Sequence, residues 1–248
     1  VHNFGKNVSY EPRHRYTPRT EEEVLGILAA HHEGRIRAQG AGHSWSRIVE
    51  APDVLVNLAH FCDVTVERGT VGHVARVGAG ATIEKILAAL HETAFSLPTL
   101  GAITRQTIAG ATATATHGTG NASLSSFVRS VKLACYGPRR QPIIKTIHGG
   151  DDLLAARASL GCLGVILELT IELVPRFWMS ERMKAHDSLE SVLAAETDWP
   201  QQQFLVFPYG WRWYAYHRRP VPEPNARALR RLQWVRALDV VVAEWGMH

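Results

Sequence analysis

The stretch "RIRAQGAGHSWSR", residues 35–47, decides how the rest of the chain is read. Ile36, Arg37 and Ala38 have strand character, and the run breaks at Gly40-Ala41-Gly42 to present His43 and Ser44. Glycine lets backbone lie close to a ligand, and consecutive N–H groups in such a loop form a nest for anions. A serine nucleophile elbow is set aside, because Ser46 stands where that motif needs its second glycine. A nicotinamide fingerprint is incomplete both here and at Gly78-Ala79-Gly80, since Trp45 and Ile83 occupy the third-glycine places.

Working outward, Pro18 to Gly34 reads as a helix: Thr20 and Glu23 form a capping box, Val24, Leu25, Ile27 and Leu28 an apolar face, and Gly34 a stop. Strand-like runs follow at Val54 to Leu58, Asp63 to Glu67 and His73 to Val77, then a helix from Ile83 to His91. Residues 107–120, "TIAGATATATHGTG", are nearly all Gly, Ala and Thr, too small to build a core alone and suited to lie against something large and flat. Paired with the loop at 40, this second loop could grip one long, doubly charged cofactor, although composition alone leaves both loops open to being plain turns. From Phe127 strands return, with period two visible in Val165, Leu167, Leu169, Ile171 and Leu173. A shift toward Trp, Arg and Pro after Pro175 sets a domain boundary near 176, with "FLVFPYGWRWYAYHRRPVPEPN" as two strands and a turn.

Composition narrows the classes. The chain has 248 residues, 46% hydrophobic and 20% charged, which describes an ordinary globular protein rather than a disordered one. Its net charge of +4 is spread out except in "RALRRLQWVR", Arg227 to Arg236, which reads as a solvated helix face, so no nucleic-acid partner is expected. The 13 histidines form no HExxH and no Cys-rich cluster, so no metal is expected, and His31-His32 reads as helix surface. Cys62, Cys135 and Cys162 are odd in number and in apolar company, the pattern of buried thiols in a reducing compartment, with the cytoplasm as default. No signal-peptide pattern and no membrane-spanning stretch is visible, and the missing initiating Met reads as a numbering that begins inside a longer gene product.

Three motifs taken together carry a resemblance: "GAGHSWS" at 40–46, "LPTLGAITRQTIAGATATATHGTG" at 97–120 and "LGCLGVILELTIELVP" at 160–175. In this order and spacing the chain resembles the FAD-linked oxidases of the vanillyl-alcohol oxidase superfamily, with a PCMH-type FAD-binding domain, within the sugar-lactone and alditol oxidase group. The resemblance implies an α+β fold: an FAD-binding domain of two α+β subdomains over residues 1–176, then the beginning of an α+β substrate (cap) domain over 177–248. It places Ala38, Gln39, Gly40, Ala41, Gly42, His43, Ser44 and Trp45 around the pyrophosphate, with a ring nitrogen of His43 bonded to the flavin C8 methyl. A neutral imidazole nitrogen is nucleophilic near physiological pH, which suits that bond. Ala102, Thr107, Gly110, Thr114, Ala115, Thr116, His117 and Ile166 fall where the family lines the flavin and its phosphates. Alditol oxidases carry serine at the position of Ala102, so "GAIT" tilts the substrate toward an aldonolactone rather than a polyol. No cysteine lies near 100–110, so a doubly linked flavin is not expected.

By the same resemblance Gly101 lies at the flavin edge where dioxygen arrives, although a turn would explain that glycine equally well. Hydride would pass from a substrate CH–OH carbon to flavin N5, and dioxygen would leave as hydrogen peroxide. The family's His-x-x-Lys-type motif has no match after Trp211, so the catalytic base is expected beyond His248 and the isolated chain is expected to turn over poorly. Three rivals stand beside this reading: a dehydrogenase with another acceptor, a reductase of the same flavin fold, and a flavin-binding remnant without turnover.

Overall fold

Thr20 opens the first helix as the sequence requires. Its hydroxyl accepts from the Glu23 N–H at 3.2 Å, while the Glu23 carboxylate accepts from the Arg19 N–H at 2.7 Å. Those caps belong to a computed structural model that describes residues 1–69, 72–120 and 122–223. The basic run at Arg227 to Arg236 and the end of the chain lie outside the described residues. Two compact units divide the chain, Val1–Pro175 and Arg176–His248.

In the first unit the order is β1 (His14–Tyr16), α1 (Glu21–Ala30), β2 (Ile36–Gln39), β3 (Val54–Asn57), β4 (Val64–Arg68), β5 (His73–Gly78), α2 (Ile83–Leu90), β6 (Phe95–Ser96), α3 (Ile108–Ala113), β7 (Val128–Tyr136), β8 (Pro142–Ile147), α4 (Gly150–Arg157) and β9 (Val165–Pro175). A small parallel sheet runs β1-β3-β2. A larger antiparallel sheet runs β4-β5-β9-β7-β8, with β6 on the far end of β9. The mixed helix and strand content is the expected α+β class.

One apolar core joins both sheets. Val24, Ile27 and Leu28 of α1, Val54 and Val56 of β3, Ile86 and Leu90 of α2, and Leu167, Leu169 and Ile171 of β9 share a single buried cluster. The period-two pattern of β9 works as expected: Leu169, Ile171 and Leu173 face the core, while Glu168 and Glu172 take ion pairs from Arg76 and Arg129 on the other face. Helix α1 stops four residues before Gly34, capped at His31, whose Nε2 meets the Tyr16 hydroxyl at 2.8 Å.

The alanine and threonine run buries Ile108, Ala111 and Thr112 of α3, and its small side chains let it sit close to β9. One expectation needs correction. The thiols are not all buried: Cys62 and Cys135 are half-buried and Cys162 is exposed, because it falls in the turn after α4 rather than on a strand. All three are free.

The second unit is a three-stranded antiparallel sheet in the order β10-β12-β11, from β10 (Trp178–His186), α5 (Leu189–Ala194), β11 (Gln201–Phe207) and β12 (Arg212–Val221). Strands β11 and β12 match the two strands and turn expected from sequence, but they are not the first strands of this unit. Strand β10 precedes them and pairs along its whole length with β12. Its "WMSERMKAH" is largely polar and exposed, so it carries no apolar alternation to read. Among the described residues no helix is long and apolar enough to cross a membrane.

Candidate cofactor site

Strands β2 and β3 run parallel, so the loops after them leave the same sheet edge, the position where open α/β sheets hold ligands. Those loops, the glycine turn after β5, the start of α3 and the loop before β9 enclose an open cleft of about 440 Å³. That is room for a small-molecule or cofactor portion rather than a water. Arg37 is the charged side chain in its wall, and no carboxylate is present among the described lining residues, which favours an anionic occupant.

Of the residues singled out by sequence, the cleft brings together Ala38, Gln39, Gly40, Ala41, Gly42, His43 and Ser44 with Thr107, Gly110, Thr114 and Ile166. It does not bring in Trp45, Ala102, Ala115, Thr116 or His117. Trp45 is largely exposed, and its indole lies over Gly5. Thr116 and His117 pack instead around Gly101: a Cβ added there would sit 2.8 Å from Thr116 Cγ2 and 3.8 Å from the His117 carbonyl oxygen. Gly101 therefore has a packing reason of its own.

Sequence reasoning missed Asn57, Leu58, Ala59, Gly80, Leu160 and Gly161, all in the cleft wall. Gly80 carried a signal that was discarded with the nicotinamide fingerprint. An added Cβ would meet the Leu58 carbonyl oxygen at 2.0 Å, so the glycine is needed for two backbones to touch, whatever the ligand. Arg37 closes one end by donating to the Ile48 carbonyl at 2.8 Å and the Leu160 carbonyl at 3.0 Å, while the Leu160 N–H donates to Ala113 at 3.1 Å. Leu160 and Gly161 both have positive φ, 51° and 73°, which turns this loop back into the cleft.

Two buried polar atoms of the wall, His43 Nδ1 and Thr107 Oγ1, have no hydrogen-bond partner among the described residues. Gly40 lies so close to Thr107 that a Cβ on it would fall 2.0 Å from Oγ1. The N–H groups of Ala41, Gly42, His43 and Ser44 likewise find no acceptor among the described residues. Buried polar groups are almost always satisfied, so a cluster of donors and a free ring nitrogen around a glycine cradle fits an oxygen-rich ligand that completes them. The residues present fit a dinucleotide such as FAD.

The fold and cleft thus define a two-loop holder for a long anionic cofactor, and comparison with known proteins makes that specific. The model of the FAD binding domain family matches residues 12–136, and the chain belongs to that family. A long-chain alcohol oxidase of an uncultured marine euryarchaeote is 42% identical over 96% of the chain and 50% of its own length. An L-gulono-1,4-lactone dehydrogenase of Mycobacterium tuberculosis is 34% identical over 77% of the chain and 45% of its length. A Streptomyces alditol oxidase is 28% identical over 82% and 52%. The chain therefore spans about half the length of the curated relatives it matches. Among solved structures, a solvent-stable cholesterol oxidase covers 90% of the chain with TM-score 0.80 at 17% identity, a likeness of fold alone.

Proposed function

We propose that this chain holds FAD in the cleft and serves an oxidoreductase that oxidises a CH–OH group of a small molecule with dioxygen as acceptor. The observation that carries the reading is the pair of buried, partnerless atoms, His43 Nδ1 and Thr107 Oγ1, in the wall of one cleft of an FAD-binding chain. In this reading residues 1–176 form the cofactor domain and 177–248 belong to the substrate domain.

Gly40 and Gly42 let the backbone approach the pyrophosphate, and the N–H groups of Ala41 to Ser44 donate to its oxygens. Thr107 would donate its hydroxyl, and Gly110, Thr114 and Ile166 would line the flavin, whereas Trp45, Ala102, Ala115, Thr116 and His117 lie outside the cleft and are assigned no contact with it. Gly101 keeps a path for dioxygen. His43 would be joined through a ring nitrogen to the C8 methyl, a bond that takes one hydrogen from each partner, with dioxygen accepting the two electrons and two protons released. When bound, FAD supplies an acceptor for the substrate's hydride at N5 and hands the electron pair to dioxygen, which leaves as hydrogen peroxide. The compartment we infer is the cytoplasm, supported by three thiols that form no disulfide.

For the substrate, a sugar lactone or polyol is supported by the lactone- and alditol-active relatives. An alcohol with a long apolar chain is a second reading, favoured by an observation in the second unit. Met183, Leu205, Phe207, Tyr214 and Tyr216 stand on one face of its sheet around an open hollow of about 360 Å³, which Tyr209 and Arg212 also line, and its apolar side chains offer contact to alkyl carbon. The test is the visible spectrum of the purified chain, then peroxide release by the complete protein from a lactone, an alditol and a long-chain primary alcohol. A colourless protein that takes up no added FAD sinks the cofactor assignment, and silence on all three substrates sinks the oxidase.

A further inference from the structure

The first ten residues carry no periodicity and no chemical motif, yet they hold the His43 loop by hydrogen bonds and a ring contact. They fold on themselves as a small hairpin. His2 bridges Ser9, the Asn3 N–H donates to the Val8 carbonyl at 3.1 Å and Lys6 N–H to the Asn3 carbonyl at 3.0 Å. Asn3 is buried to 3% exposure, and its side chain holds the turn, accepting from Val8 N–H at 3.1 Å and donating to Asn7 Oδ1 at 2.7 Å.

From this hairpin three donors reach across to carbonyls on either side of His43. The Phe4 N–H donates to the Gly42 carbonyl at 2.8 Å, Asn3 Nδ2 to the Ser44 carbonyl at 2.9 Å and Asn7 Nδ2 to the Trp45 carbonyl at 2.9 Å. Gly5 lets the Trp45 indole close over the hairpin, for a Cβ there would meet the ring at 2.6 Å. The residue skipped by these bonds is His43, and the Phe4 ring lies on its imidazole, with centroids 4.5 Å apart and planes 31° apart. Phe4 is nonetheless 60% exposed, so core packing does not account for it.

We infer that this hairpin is a strap that positions His43, with Phe4 as the positioning residue for the ring and Asn3 and Asn7 as those for its backbone. Three carbonyls tied to a rigid hairpin fix the path of residues 42–45. The tilted phenyl lying on it then restricts rotation of an imidazole whose Nδ1 has no hydrogen bond among the described residues to hold it. A ring that must meet one atom of the cofactor gains rate when its geometry is set in advance. The inference rests on the assignment of His43 as the flavin attachment point.

The experiment uses the complete protein, freed of FAD and then mixed with it, as wild type, Phe4→Ala, Phe4→Tyr and His43→Ala. Two quantities are read: the rate at which flavin becomes resistant to acid precipitation, and the imidazole NMR signals of His43, assigned by their loss in His43→Ala. Because Phe4 is exposed, its variants should keep wild-type folding and wild-type reversible flavin uptake. Phe4→Ala should slow attachment roughly ten-fold, the effect of a modestly misplaced reactant, and shift the His43 signals toward a freely rotating imidazole. Phe4→Tyr should restore both. Unchanged signals in Phe4→Ala, or unchanged attachment, overturn the strap. If wild-type flavin is released by acid, the attachment assignment fails by itself, and the His43 signals alone then decide whether Phe4 holds the ring.

Discussion

His43 in the first unit and the His186–His217 pair in the second both take imidazole nitrogens out of water, and the chain completes the hydrogen bonds of one and not of the other. His186 and His217 are 5% and 0% exposed, with their Nε2 atoms 2.9 Å apart. Ser191 Oγ donates to the Ser188 carbonyl at 3.1 Å, so it accepts from His186 Nδ1–H at 2.8 Å. His186 Nε2 is then a lone pair that accepts from His217 Nε2–H, which leaves His217 Nδ1 as an acceptor. Gln202 supplies that donor: turned to satisfy its neighbours, its amide nitrogen lies 3.2 Å from His217 Nδ1 and from the Val192 carbonyl, and its oxygen accepts from Glu196 N–H at 2.9 Å. Every nitrogen has one partner and both rings are neutral. His43 Nδ1, equally hidden, has none. Burial therefore separates nothing here; satisfaction does, because a closed network holds a fold together while an open one awaits a group from outside.

The sharpest way to break this contrast is to delete each imidazole. His217→Ala opens a cavity and strands His186 Nε2 and the Gln202 amide, so urea unfolding should show a loss of about 3 kcal/mol. His43→Ala strands no hydrogen-bond partner among the described residues and should cost under about 1 kcal/mol while abolishing acid-resistant flavin. Equal destabilisation by the two would erase the distinction.

Gly80→Ala comes next, since its methyl would press on the Leu58 backbone 2.0 Å away. A cost of about 2 kcal/mol is expected together with weaker FAD uptake, because the crowded backbone is itself cleft wall. Titration of the purified variant with FAD measures the second effect. A smaller change, Thr107→Val, removes the other partnerless atom of the cleft wall at constant shape. The flavin-free protein should be unaltered or up to about 1 kcal/mol more stable, and FAD should bind roughly ten-fold more weakly. Thr107→Ser should bind like wild type.

The smallest effect is on pH dependence. Burial, followed for His217 by the neighbouring His186 and for both by Lys184 and Arg182, holds these imidazoles below their ordinary value of 6.5, with Asp187 opposing at His186. Below pH 6.5 the unfolded chain therefore takes up protons that the folded unit refuses. The contribution is whole above that pH and is lost as acidification proceeds toward the folded values. Stability of the second unit, followed by urea melts between pH 7 and 5, should fall, and the slope should flatten in His217→Gln. A flat wild-type profile would mean that the pair is protonated where it sits.

Several features were legible without coordinates. Thr20 and Glu23 announced α1, the alternation in 165–173 announced β9, and the glycine loops at 40 and 107, open from composition to being plain turns, marked two segments that the fold brings to one cleft. These signals are local: caps act over three or four residues and strand alternation over two, so they survive in one dimension. The misses share the opposite property. Strand β10 is recognisable through its partner β12, 31 positions on from His186 to His217, and not through its own polar sequence. Gly80 belongs to the cleft because Leu58 touches it from another loop.

By itself, then, the sequence marked the first helix, the alternation of β9 and the two glycine loops, because each follows from short-range backbone preference and periodicity, while the class of fold and the role of His43 came from the resemblance of its three motifs to a known family. Only the tertiary structure decided which of those residues share one cleft, that Asn3 and Asn7 reach 41 and 38 positions along the chain to hold residues 44 and 45, and that His43 is left open while His186 and His217 are closed. A hydrogen bond between distant residues has no sequence period, so whether a buried atom is satisfied is settled when the chain has folded.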